Sequence, residues 1–128
     1  MAQWQGRSRR KSSGGRYRPL RNKRKSEISR EVLPALVGEE PVRVGYHARG
    51  GAIKFGHLRV SVISVTDPAK HTSTTAKIQN VLENPANPNY VQRNIVTRGA
   101  IVQTDKGRVK VTSRPGQSGA LAGVLVQG

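Results

Sequence analysis

The chain has 128 residues, one domain's worth, and its 23 Lys and Arg against 7 acidic residues give a formal net charge of +16 and a pI near 11.6. Its longest apolar runs are a handful of residues, far short of the roughly 18–20 a membrane-spanning helix needs, and residues 1–30 hold no apolar run of secretory-signal length. With no cysteine, disulfides and thiolate metal sites are excluded, and a charge this large calls for a dense polyanion, nucleic acid being the commonest.

Taken in chain order, the charge comes first. Residues 1–30 hold eleven Lys or Arg and one acid, Glu27. Their large hydrophobes, Met1, Trp4, Tyr17, Leu20 and Ile28, follow no helical or strand period. Such a segment buries too little to offset its ordering entropy, so alone it is expected to be disordered. Fully extended it would reach about 100 Å, at roughly 3.3–3.6 Å per residue. It reads as a basic arm, with a short helical turn expected around residues 23–30. The arm and its linker are assigned residues 1–40, and a folded domain residues 41–128.

From Val42 onward short β-rich runs are separated by turn residues. Residues 42–46 alternate. So do residues 58–62, where the phase then slips at Ile63-Ser64-Val65; a slip that keeps period two predicts a β-bulge rather than a strand end. Asp67-Pro68 ends that strand. Ala76-Lys77-Ile78 and Val81-Leu82 follow, also offset by a slip. Asn87-Pro88 predicts one helical turn over residues 89–93. Ile95-Val96 and residues 100–102 flank Gly99. Asp105-Lys106-Gly107 predicts a tight hairpin with Gly107 left-handed, followed by an alternating run at Val109 and Val111. Arg114-Pro115-Gly116 predicts a type II turn, and residues 121–126 a last strand. The fold class is all-β: a small antiparallel β-barrel, whose closure removes exposed edges, with a long basic, irregular N-terminal extension.

Catalysis needs grouped side chains or a metal cage, and no catalytic residue, metal site or cofactor is expected. His47, His57 and His71 share no ligand spacing and read as solvated or RNA-facing histidines. There is no Gly-x-Ser-x-Gly elbow and no phosphate-cradling Gly-x-x-x-x-Gly-Lys. Glu39-Glu40 beside Pro41 reads as a solvated loop. No small-molecule substrate is implied.

The arm carries the chemistry. Arg7, Arg9, Arg10, Lys11, Arg16, Arg18, Arg21, Lys23, Arg24 and Lys25 sit among glycines and serines that let backbone approach phosphates closely. Arginine forks suit bidentate phosphate contact, while lysines act as point charges. Trp4 and Tyr17 add two faces for stacking bases. Charge alone leaves a DNA-compacting architectural protein as the alternative, although no groove-entering helix is evident. A polybasic membrane protein would need a second, hydrophobic signal.

Several segments taken together resemble a known family. Trp4-Gln5-Gly6-Arg7-Ser8, Arg10-Lys11, Gly14-Gly15-Arg16 and residues 23–27 are similar to the opening of the archaeal and eukaryotic small-subunit ribosomal protein family called S-eight-e. Arg49-Gly50-Gly51, residues 83–87, Tyr90-Val91, Arg93-Asn94-Ile95, Gly99-Ala100-Ile101 and residues 111–117 continue in family order. The resemblance implies a β-barrel body bound to small-subunit ribosomal RNA among other small-subunit ribosomal proteins, in the cytoplasm, with no catalysis. Length fits the archaeal branch, because eukaryotic members carry a large C-terminal insertion. Residues 52–57 depart from the family, which places more basic residues and an Asn after the Gly-Gly pair. Arg49, Lys54, Arg93 and Arg114 complete the candidate RNA contacts.

Overall fold

A computed structural model describes residues 3–126 of the chain; Met1, Ala2, Gln127 and Gly128, at the outer ends of the expected segments, lie outside the described residues. The chain forms two compact units, Met1–Val32 and Leu33–Gly128.

The first unit doubles back on itself instead of running extended. β1 (Gln3–Trp4) pairs antiparallel with β2 (Ile28–Ser29), and the Gln5 amide donates to the Glu27 carbonyl at 2.9 Å. A 3-10 turn at Lys25–Glu27 occupies the expected helical position. Between them, a turn about Gly14, whose φ is +87°, brings Arg10 and Arg16 together in an isolated β-bridge. An arm without an apolar period thus closes by hydrogen bonds rather than by a core, and none of its described residues is fully buried.

The second unit opens with β3 (Ala35–Val37), β4 (Val42–His47) and β5 (Ile53–Val60). Its first strand therefore begins before residue 41. β6 (Val62–Asp67), β7 (Thr72–Glu83), a single helical turn α1 (Asn89–Gln92), β8 (Ile95–Val96), β9 (Ile101–Thr104), β10 (Gly107–Val111) and β11 (Ala122–Leu125) follow. Five strands close a barrel in the order β10-β11-β6-β7-β9, and four form a sheet ordered β4-β5-β3-β8. The barrel is antiparallel except at the β11–β6 seam; β3 and β5 also pair parallel.

Period-two alternation builds the core. Ile63 and Val65 point inward from β6, Ala76, Ile78 and Val81 from β7, Val102 from β9, and Val109 and Val111 from β10; all are buried. Val60, Ala35 and Val96 join the same cluster from the four-stranded sheet. Gly123 on β11 lets Val109 and Ile63 meet: a Cβ there would lie 2.5 Å from Val109 Cγ1 and 2.9 Å from Ile63 Cδ1. Arg59, Lys77, Arg108 and Lys110 occupy the exposed phase.

Two local expectations are corrected. The slip near Ile63 is a strand end, because the chain leaves the four-stranded sheet at Val60 and enters the barrel at Val62. A strand that changes sheets must change the face it buries. Gly116 is not among the residues with positive φ, so the turn at 114–117 is not type II. Instead the Arg114 carbonyl accepts from Gln117 at 3.1 Å and Ser118 at 2.9 Å. The slip within β7 is a bulge: its register against β9 shifts between Ile78 and Asn80 and again between Val81 and Glu83. Gly107 has φ +119° at the β9–β10 hairpin, and α1 lies where Asn87-Pro88 predicts it.

Candidate nucleic-acid interface

Within the first unit the cations are splayed around a small frame. The Trp4 indole N–H donates to the Arg7 carbonyl at 2.8 Å, and the Arg9 guanidinium lies 4.1 Å from the indole centroid. Trp4 and Arg9 are therefore half-buried against each other, with Gly6 close beside the ring. The Tyr17 amide donates to the Arg9 carbonyl at 2.8 Å, and the Lys11 ammonium lies 5.6 Å from the Tyr17 ring centroid. Arg10 Nη1 donates to the Gly14 carbonyl at 2.8 Å, and the Lys11 amide to that of Gly15 at 2.8 Å. These bonds shape a cationic hairpin from Arg9 to Tyr17.

Glu27 pairs with Arg21, in the one ion pair among the described residues. Arg21 Nη1 donates to Glu27 Oε2 at 3.0 Å, and the Arg24 amide reaches the same oxygen at 3.2 Å. The Arg21 hydrogen bond, then that of the Arg24 backbone, holds the Glu27 carboxyl down to about 2. The only acid of residues 1–30 is thus spent on shaping the turn. Arg7, Arg10, Lys11, Arg16, Arg18, Lys23, Arg24 and Lys25 are exposed with no carboxylate partner. Such a group of like charges repels itself in water and is relieved by an anion.

In the second unit the four candidates occupy two regions. Arg49 opens the 3-10 turn Arg49–Gly51 joining β4 to β5, where Gly50 and Gly51 have φ +72° and +76°, and Lys54 sits on β5 opposite Tyr46. Arg114 begins the turn that packs against this hairpin: the Tyr46 hydroxyl donates to the Gly116 carbonyl at 2.7 Å and the His57 amide to the Pro115 carbonyl at 2.8 Å. Arg93 stands apart, as the residue closing α1. All four side chains are exposed.

The corner near Arg93 is built by asparagines. Asn84 is buried; its amide donates to the Ile95 carbonyl at 3.1 Å, and its oxygen accepts from Thr97 at 2.8 Å and the Ala86 amide at 3.1 Å. Asn94 takes φ +51°, which asparagine tolerates, and its side chain accepts from the Val81 amide at 3.2 Å.

His57 corrects the solvated reading of the histidines. It is 4% exposed, and neither ring nitrogen has a hydrogen-bond partner. Desolvation, and next the Arg43 guanidinium, push its imidazole below the ordinary value, while the Gly119 backbone opposes weakly. A neutral ring is the outcome. His47 and His71 are exposed.

Besides His57, sequence patterning missed Ile53 and Phe55, which are half-exposed on β5; the pairing of Gly45 with Phe55 becomes visible only once β4 and β5 are in register. Among the described residues no three His, Asp or Glu side chains gather into a metal-holding group, and no helix is long and apolar enough to cross a membrane.

The chain is a small, strongly basic protein of the β-barrel class, with a cationic first unit. The chain belongs to the ribosomal protein S8e family, whose model matches residues 4–126, and it is not an enzyme. It is 45% identical to the small ribosomal subunit protein eS8 of Haloarcula marismortui over 96% of this chain and 98% of that one. The proteins of the same name from Methanosphaera stadtmanae and Methanobrevibacter smithii are each 45% identical, over 99% and 98% of this chain and all of their own length. These relatives are archaeal, and their span agrees with the branch that chain length implies.

Proposed function

We propose that the chain is a structural constituent of the small ribosomal subunit in the cytoplasm, binding small-subunit ribosomal RNA chiefly through the cations of its first unit, beside other small-subunit ribosomal proteins. The observation that carries this reading is the concentration of eleven Lys and Arg in residues 1–30, with the sole acid there tied to Arg21. Arg7, Arg10, Arg16 and Arg18 offer guanidinium forks to phosphates. Arg9 and Lys11 lie over Trp4 and Tyr17, so a base reaching either ring meets a cation beside it. Phosphate contacts position without reading sequence; specificity then comes from RNA shape and from a few stacked or edge-read bases.

The test is binding of small-subunit rRNA across a salt series. If about 6–10 cations engage phosphates, the log–log slope is about −4 to −9 at ~0.7–0.9 per contact. Replacing Arg7, Arg10, Arg16 and Arg18 together by Gln should flatten it by about 3–4. A flat response in the native chain rejects the reading, and equal affinity for duplex DNA favours a DNA-compacting role instead.

A further inference from the structure

The β4–β5 hairpin has an exposed face that the barrel core does not use. Directly paired residues share a face of the ladder, so Arg43 with His57, Gly45 with Phe55 and His47 with Ile53 form one surface. His57 is buried at its root, while Phe55 and Ile53 are 49% and 54% exposed further out. Phe55 is laid across the strand pair: a Cβ on Gly45 would sit 3.2 Å from its Cε1 and 3.5 Å from its Cδ1. Gly119 supports the base of the same side chain, its Cβ position lying 3.5 Å from Phe55 Cβ. One side of the ring is seated on backbone at Gly45, and the rest meets solvent.

The hairpin's own sequence is cationic. Arg43, Arg49, Lys54 and Arg59 fall within residues 41–66, a stretch without a single Asp or Glu. An isolated exposed phenylalanine needs no explanation; one braced on glycine, on the same ladder face as Arg43, does. A protein partner would need roughly 800 Å² per side, far more than one ring and one isoleucine supply. A membrane would need a larger apolar face. A flat, sequence-tolerant ligand with its own negative charge fits both features, since every base has a π-face and brings a phosphate.

We infer that this hairpin is a second RNA-binding element, on which Phe55 stacks an unpaired base of a single-stranded segment while Arg43 and Arg49 take the adjoining phosphates. The inference rests on the rRNA reading above and adds to it a site in the second unit that recognises single strands.

The experiment uses the full chain with a uridine decamer and an RNA duplex of equal length. Phe55→Leu should weaken decamer binding roughly 5- to 150-fold and leave duplex binding within about twofold. Unchanged decamer affinity overturns the inference, as does loss of contact with neighbouring ribosomal proteins at unchanged RNA affinity. Should Phe55→Leu unfold, Phe55→Trp in a Trp4→Phe background supplies the second reading: the decamer should quench its fluorescence, and an unquenched signal overturns the inference. Failure here with salt-sensitive rRNA binding intact removes only the hairpin site. Absence of rRNA binding by the native chain removes the parent reading.

Discussion

At the scale of single residues, His57 is the sharpest case of a side chain whose environment differs from its sequence context. Between Gly56 and Leu58 it looks like any strand histidine, yet contact with the turn after Arg114 leaves its ring dry. Its pKa is lowered on folding, so below the unfolded value of about 6.5 the unfolded chain binds the proton more readily. Stability is therefore full above that pH and is lost as pH falls through 6.5 toward the folded value. Thermal melts from pH 8 to 5 should show this decline in the native chain, and His57→Leu should remove it; the same slope in both would contradict the assignment. The other histidines are exposed, which is why local sequence served for them. Asn84 and Asn94 were legible only as members of a family-like segment. Their hydrogen bonds join residues 11 and 13 positions apart, a separation that periodicity does not reach.

At the scale of elements, alternation located β6, β7 and β10, because each half-buried strand has to place apolar residues at every second position; it also located β4, although Val42 and Val44 there are exposed. It failed at β3 and at the outer half of β5. β3 is three residues long and exists because β5 and β8 flank it. The outer half of β5 carries Ile53 and Phe55 facing solvent, so an inward reading of apolar residues hid that strand. The phase slip at Ile63 is real, but a bulge and a change of sheet leave the same trace in sequence. Gly123 marks the tightest point of the barrel. Adding a methyl there must displace Val109, Ile63 or the Lys110 carbonyl, and overpacking of this kind costs about 1–3 kcal/mol. Gly123→Ala should lower the urea midpoint accordingly with little change in the slope of the transition. An unchanged midpoint would show the β10–β11–β6 wall to be looser than these distances allow.

At the scale of the whole molecule, the concentration of cations in the first unit is plain from sequence alone, and the conformation of that basic segment is not. Lack of an apolar period argued for disorder; the first unit instead closes through the β1–β2 ladder, the Arg21–Glu27 pair and the Arg10–Arg16 bridge. These are hydrogen bonds and one ion pair with little buried area behind them, and composition does not register them. The second unit's core is small for its length, and anything that binds only the folded form will stabilise it by mass action. The family match from residue 4 to 126 spans both units.

The central claim is that the cations of residues 3–32 lie against small-subunit ribosomal RNA. Ultraviolet crosslinking in cell extract, with the attached peptides and nucleotides identified, tests it most directly. Adducts should concentrate on peptides containing Trp4, Arg7 and Arg16 to Arg18 and should carry small-subunit rRNA sequence. Adducts confined to DNA, or a first unit that yields none while the protein sediments apart from small subunits, would contradict it.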